Sequence, residues 1–476
     1  MIYLFNSTDF ILFFISVFSI YWILPKKFKN TLLLAASYIF YASWNWKLLG
    51  LLLISTFTNY FLGLWIHNAE NNKSKKLFLI LAIIFNLSLL GFFKYFNFFA
   101  ESLVSLLNLF GFNLNFTTLN IILPIGISFY TFRTMSYTID IYRKQLAPTK
   151  NIIDFSLFDA YFPQLISGPI ERAKNLIPKI QAEKQIRNIN YKEGLYLFVY
   201  GLFKKVVVAD SVASIVNNIF ALPNPSGAQV LIAAYAFAIQ IYADFSGYID
   251  MARGISHFFG IELSTNFNLP YFAKNPRDFW RRWNITLSSW VRDYVYIPLG
   301  GKHSRFLGMY ALFITWLIMG LWHGAAWNFV LWGLYWFLLI MIYRIVKYIF
   351  QAMQLLKTKN NVITTFKNWM MTILMFHLTT YGWILFRSEN FGQITAFTRS
   401  LFSGINILEL FNISYLYLYA IIVFMAIYEM LQYYKNDQVF IYKKSFYYQL
   451  AFYMTLFFLY IEIGAISNIE FIYFQF

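Results

Sequence analysis

The sequence contains no cysteine. That excludes disulfides, thiolate metal sites, S-palmitoylation and any acyl-cysteine intermediate, and it leaves the redox compartment open. Charge is scarce too: only 12% of the 476 residues are Asp, Glu, Lys or Arg, where soluble chains carry about a quarter. A water-soluble fold would have too little polar surface. Acidic residues are the scarcer sign, 21 against 38 basic, for a formal net charge of +17. In a soluble protein that balance would point to nucleic acid. Here basic loops on the cytoplasmic face account for most of it, and no nucleic-acid partner is expected. The amino end lacks a basic start and a small-residue cleavage site, so its first apolar run is expected to be retained as a span. No repeat, low-complexity tract or Pro/Gly/Ser linker divides the chain, which predicts a single domain over residues 1–476.

What is present is apolar surface and rings: 59% of the residues are hydrophobic and 22% aromatic, with 55 Phe, 36 Tyr and 14 Trp. A membrane helix needs roughly 20 mainly apolar residues. The expected spans, the first two of them short, run Phe10–Leu24, Thr31–Trp44, Leu48–Ile66, Leu77–Phe96, Leu119–Ile139, Leu195–Ala221, Ala228–Phe245, Phe306–Trp322, Phe329–Phe350, Trp369–Phe386, Tyr415–Leu431 and Tyr447–Ile466. The expected fold is an all-α polytopic bundle in the lipid bilayer, with about 11–13 spans. Lys26, Lys27 and Lys29 follow the first span and Lys73, Lys75 and Lys76 the third. Both clusters are expected in the cytoplasm, with the amino terminus outside. Phe155–Lys179 and Asn266–Ser304 are too polar to cross lipid alone and too apolar for free loops. They are expected as re-entrant or interfacial segments, which is tolerated where backbone is buried in protein or lines a wet cavity.

Two stretches carry candidate chemistry. The first, Lys274–Arg305, reads KNPRDFWRRWNITLSSWVRDYVYIPLGGKHSR. Phe279, Trp283, Leu287, Trp290 and Tyr294 recur at helical spacing, Arg281 and Arg292 share another face, and Pro276 and Gly300 suit a start and a stop. An amphipathic helix is predicted. It reads either as a basic anchor or as a binding surface, with Arg281 and Arg282 offering planar donors for phosphate beside the Trp283 ring, as a nucleotide-bearing thioester would need. The second, Thr315–Asn328, reads TWLIMGLWHGAAWN inside an apolar span. Trp316, Gly320, His323 and Trp327 fall on one helical face, and small Gly320 and Gly324 leave room beside the imidazole. Ionisable groups within spans are costly and commonly functional, and desolvation favours the neutral imidazole, the form that accepts a proton. Asp244 and Asp250 flank Ser246 at a span end. They read either as partners of Arg253 and other bases or as acceptor contacts. His67, His257 and His303 read as loop or helix-end residues, and His377 lies within a span. Ser246 lacks a nucleophile elbow, the GGKHSR segment lacks the first glycine of a P-loop, and no spacing suggests a metal site.

The run FWRRWNITLSSWVRDYVYIPLGG followed by GLWHGAAWN resembles the membrane-bound O-acyltransferases, in particular their bacterial alginate O-acetylation branch. LPIGISFYTFRTMSYTIDIYR at Leu123–Arg143, FPQLISGPIERA at Phe162–Ala173 and YADFSGYIDMARG at Tyr242–Gly254 extend the resemblance, which covers roughly residues 123–387. It implies a ring of helices around a tunnel, with a cytoplasmic donor funnel and an outer acceptor funnel. His323 matches the family's essential histidine. Asn284 falls at its second polar position, where members similar to this chain often have histidine, so a two-histidine mechanism is not expected. Trp316, Trp327, Asp244 and Ser246 join Arg281, Arg282 and Trp283 as expected substrate contacts.

The function so implied is transfer of an acetyl group from a cytoplasmic thioester, acetyl-CoA, to hydroxyls of an exported envelope polysaccharide such as an alginate-like polymer or peptidoglycan. The setting is a bacterial cytoplasmic membrane, acetyl-CoA is substrate and no cofactor is bound. No soluble region is large enough to hold a long polymer, so an extracytoplasmic transferase or binding partner is expected. The alternatives are a D-alanyl transferase for teichoic acid fed by a carrier protein, a non-catalytic glycan channel, and an export scaffold.

Overall fold

A computed structural model describes residues 4–301, 303–352, 361–464 and 471–472. Its secondary structure is helical, with no strand among the described residues. Among the described residues, eight helices are long and apolar enough to cross a membrane: Lys26–Asn68, Asn72–Leu109, Gly227–Phe258, Phe306–His323, Trp327–Ile349, Ile363–Arg387, Ile413–Lys435 and Phe446–Ile463. The protein is thus an all-α polytopic membrane protein. The end of the predicted span Tyr447–Ile466 and Lys302 of the GGKHSR segment lie outside the described residues.

Thr31–Trp44 and Leu48–Ile66 fall on the two arms of Lys26–Asn68, which kinks between them at Asn45, whose φ of −156° and ψ of 105° are non-helical. Other expected spans take another form. Leu119–Ile139 begins as irregular backbone, and the helix starts at Ile127, after Pro124 and a left-handed Gly126 (φ 75°). Ile127 through Ile141 are all buried. A helix buried on every side, with Arg133 and Asp140 among its buried residues, packs into protein rather than facing lipid. Leu195–Ala221 divides into Tyr191–Phe203, a π-helical turn at Lys204–Ala209, and Asp210–Phe220. The segments expected as re-entrant are short helices separated by turns.

The chain forms two compact units, Met1–Phe198 with Tyr248–Ser264, and Val199–Gly247 with Thr265–Phe476. In the first, rings of Phe5, Phe10, Phe40 and Phe162 pack within 4.8 to 6.4 Å of one another. Several polar groups there are met by backbone or by other side chains. Arg133, fully buried, donates to the carbonyls of Gln164 at 3.2 Å and Asp159 at 2.7 Å. Asp159 accepts from Thr56 at 2.7 Å, and Asp250 pairs with Arg253 at 3.5 Å. Burial pushes the Glu171 carboxyl above its ordinary range, although it accepts the Ser264 N–H.

In the second unit the helices Arg305–His323 and Trp327–Ala352 form an antiparallel hairpin. They meet backbone to backbone: a Cβ on Gly320 would lie 2.2 Å from the Phe329 carbonyl oxygen, and one on Gly333 would lie 2.3 Å from that of Trp316. Small residues permit that approach where lipid supplies no hydrophobic drive between helices.

Candidate active site

His323 is the last residue of its helix, 3% exposed. Its imidazole is walled by rings set edge to face, with centroids of Trp322 and Trp332 at 4.9 Å and Phe386 at 5.2 Å. Asn328, at the start of the returning helix, ties it down by donating to the Phe386 carbonyl at 3.1 Å. Two sequence expectations fail at this turn. The space expected beside the imidazole at Gly320 and Gly324 is filled, by the Phe329 backbone and by the Phe329 ring, 2.1 Å from where a Gly324 Cβ would stand. Trp327 does not share the His323 face, because the helix ends at His323 and Trp327 opens the next one, 65% exposed.

The Lys274–Arg305 stretch is not one amphipathic helix either. Pro276 begins a helix as expected, with Asn275 accepting the Asp278 N–H at 2.9 Å, but that helix ends at Arg282. Asn284 then turns left-handed (φ 41°, ψ 58°), a conformation Asn tolerates better than most residues. A second helix runs Ile285–Val291 and a π-helical turn Arg292–Tyr296. Asn266 pins the break: its backbone carbonyl accepts Ile285 N–H and its side chain accepts Thr286 N–H and hydroxyl, each at 2.9 Å. The Asn284 amide is 1% exposed, and neither its nitrogen nor its oxygen has a hydrogen-bond partner among the described residues.

That break splits the three residues expected to bind together. Arg281 lines a groove of about 500 Å³. Arg282 turns to Asp278, at 2.9 Å, and to the Asn268 carbonyl at 3.2 Å. Trp283 is fully buried between the rings of Phe267, Phe279 and Trp383 at 4.9 to 5.6 Å, so it offers no free face for stacking. The groove gathers five cations, Arg277, Arg281, Arg292, Arg344 and Lys347, and no acidic residue is among its lining. Arg292 is held by a carboxylate, bidentate on Asp293 at 2.7 and 3.1 Å, and it is the one of the five so held among the described residues. Trp280, Trp316 and Met319 form an apolar part of the lining. Met319 precedes His323 by one helical turn, and Trp280 touches Trp332 at 5.8 Å, the ring that touches the imidazole. One indole therefore intervenes between groove and imidazole along this line of rings.

Asp244 and Ser246 face elsewhere. Asp244, 2% exposed, pairs with Lys205 at 3.0 Å and accepts the Ile472 N–H at 2.7 Å. Lys205 also holds Asp210 at 2.8 Å. Ser246 accepts from Lys204 at 3.0 Å. His377 sits exposed on the helix Asn361–Arg387, with Nε2 2.9 Å from the Tyr235 hydroxyl and Nδ1 2.8 Å from the Ile373 carbonyl. Sequence reasoning missed Trp332 in the wall around the histidine, Trp336 and Trp383 packed behind it, and Arg344 and Lys347 in the groove. The signals were present: Trp332 and Trp336 stand one turn apart, and Arg344 and Lys347 are bases interrupting an apolar run.

The family model of MBOAT, the membrane-bound O-acyltransferase family, matches residues 39–383. The chain is 39% identical over 402 residues to the probable alginate O-acetylase AlgI of Pseudomonas aeruginosa, covering 84% of this chain and 75% of that one. It is 38% identical over 426 residues to the peptidoglycan O-acetyltransferase of Helicobacter pylori, covering 81% and 77%. The teichoic acid D-alanyltransferase of Bacillus subtilis is more distant, 27% identical over 287 residues, covering 57% and 70%.

Proposed function

The chain belongs to the membrane-bound O-acyltransferase family, and from that premise we propose that this acyltransferase carries an acetyl group from acetyl-CoA in the cytoplasm to hydroxyls of an exported envelope polysaccharide, alginate-like or peptidoglycan. The observation that carries the reading is the groove: five cations and two indoles, leading by one intervening ring to a buried histidine. Guanidinium groups match phosphate geometry, and indole faces accept an adenine. A nucleotide-bearing thioester fits that chemistry. The greater identity to O-acetyl transferring relatives than to a D-alanyltransferase supports acetyl as the group moved.

In the mechanism His323 takes the proton of the acceptor hydroxyl as its oxygen attacks the thioester carbonyl. The carbonyl electrons move onto oxygen, where the Asn284 amide donates to the developing charge. Collapse breaks the C–S bond and the thiolate takes the proton back from the imidazolium. The ring shell keeps water from the thioester, and holding both substrates in one dry passage contributes orientation. A tunnel through the membrane, with the donor mouth cytoplasmic and the acceptor mouth outside, is part of the proposal, as are residence in a bacterial cytoplasmic membrane and an extracytoplasmic partner that receives the acetyl group and delivers it to polymer.

Reconstitution tests it. Purified protein in sealed vesicles should turn over acetyl-CoA supplied on the groove side and, with the outer partner added, acetylate polymer. Failure of acetyl-CoA turnover overturns the donor assignment, and efficient polymer acetylation by this chain alone removes the partner. Orientation is checked separately by cysteine labelling, which is clean in a chain without native cysteine. In intact cells Ser74→Cys should be protected from a membrane-impermeant reagent and Asn6→Cys should react. The reverse pattern puts the donor on the wrong side.

A further inference from the structure

An indole N–H can only donate, and burying a donor without an acceptor costs roughly 1–3 kcal/mol. Phenylalanine would fill much of the same space at no such cost. A buried Trp whose N–H meets nothing in the protein therefore calls for an acceptor from outside it. Trp332 and the indoles packed against it separate on this criterion. Trp383 donates to the Tyr271 hydroxyl at 3.2 Å. Trp280, Trp332 and Trp336 have no hydrogen-bond partner among the described residues, although they are 8%, 0% and 0% exposed. Of these three, Trp332 is the one in ring contact with the imidazole, at 4.9 Å and 81°, and it also touches Trp280 of the groove lining at 5.8 Å.

We propose that the Trp332 indole N–H is a catalytic donor to the carbonyl oxygen of the transferred acyl group, forming the oxyanion site together with the Asn284 amide. The inference rests on the reading of His323 as the base. When the acceptor oxygen bonds to the carbonyl carbon, the carbonyl π pair moves onto oxygen and is held by the two donors. When the C–S bond breaks, that pair returns to re-form the carbonyl and the sulfur leaves with its bonding pair. Both donors are neutral and already desolvated, so they strengthen as charge develops without reorganising. A cation in the same place would oppose protonation of His323, whereas an indole carries no such penalty.

The test is Trp332→Phe, which keeps a ring and removes the donor. Losing one oxyanion donor lowers kcat by about 10²- to 10³-fold, so that fall is expected in acetyl-CoA turnover, with KM for acetyl-CoA within about threefold of wild type. A trifluoromethyl ketone analogue of acetyl-CoA, whose tetrahedral adduct carries the oxyanion, should bind about 10²-fold more weakly to the variant, while coenzyme A itself binds equally. An unchanged kcat in folded protein overturns the proposal, and so does a parallel loss of coenzyme A affinity, which would mark a packing role. If Trp332→Phe does not accumulate, benzothienylalanine at position 332 preserves the bicyclic shape with sulfur in place of N–H and is read by the same criteria. His323→Ala in the same assay keeps the failures apart: residual wild-type turnover there sinks the reading of the histidine, whereas an inactive His323→Ala beside a fully active Trp332→Phe sinks only the donor.

Discussion

Two buried polar clusters within the second unit invite comparison. In one, Lys205 sits between Asp210 at 2.8 Å and Asp244 at 3.0 Å, and Asp244 takes a backbone N–H as well. In the other, the Asn284 amide and the indoles of Trp280, Trp332 and Trp336 have polar atoms that meet no partner among the described residues. Both are less than 9% exposed. Compensated charge of the first kind is tied to the fold, since both carboxylates are already paired with the Lys205 ammonium. Polar atoms of the second kind are an unpaid cost unless something else arrives to meet them. The contrast bears on residues expected from the sequence in two different roles: Asp244 and Ser246, expected as substrate contacts, are engaged within the fold, whereas the amide of Asn284, expected to be catalytic, meets no partner among the described residues.

The largest effect that would sharpen the contrast is on activity. His323→Ala should lower acetyl transfer on the order of 10³-fold or more, with membrane insertion and thermal unfolding near wild type. Asn284→Ala should lower it less, about 10²-fold, as loss of one of two oxyanion donors would. Acetyl-CoA turnover and a melting curve in detergent measure both, and a His323→Ala protein that transfers normally breaks the comparison. Next comes stability. Lys205→Met leaves two carboxylates without their cation, a loss of roughly 3–5 kcal/mol for breaking a buried pair. The unfolding transition should fall sharply while the surviving folded molecules keep kcat. A variant that melts normally but has lost turnover would move the Lys205 cluster into the chemistry. Smallest is Ser246→Ala, which removes one hydrogen bond to Lys204 and should cost about 1 kcal/mol with no change in KM. A KM shift there would restore Ser246 as a substrate contact.

What could be read from the sequence, and what could not, divides along the same physical lines. Apolar runs and a lone histidine flanked by glycines are local features, so the helical bundle and the placing of His323 as a buried group were legible. Which backbone fills the space beside a glycine is not local: Gly320 reads as room for a substrate until Phe329 is seen to occupy it. The helical spacing through Trp283 and Leu287 was real, yet Asn284 breaks it, because hydrogen bonds accepted by Asn266, distant in sequence, stabilise a left-handed turn that periodicity cannot register. Arg344 and Lys347 were hidden for a different reason. Bases near the end of an apolar run read as side chains reaching for the interface, and only the facing Arg277 and Arg281 turn them into a groove.

The break at Asn45 bears on how the protein fits its bilayer. A straight helix of 43 residues would be roughly 65 Å long, and seating it in a hydrocarbon layer of about 30 Å would need a tilt near 60°, beyond the usual range of about 0–40°. Divided at Asn45, its arms are roughly 28 and 34 Å, each close to the layer's thickness. Trp44 and Trp46 flank the break, and Trp46 is 73% exposed, as suits an indole at the headgroup level. If each arm crosses, the chain returns to the leaflet it left, and Lys26 and Lys73 stand in the same aqueous compartment. A single asparagine would then set the parity of every crossing that follows, including the one that ends at His323.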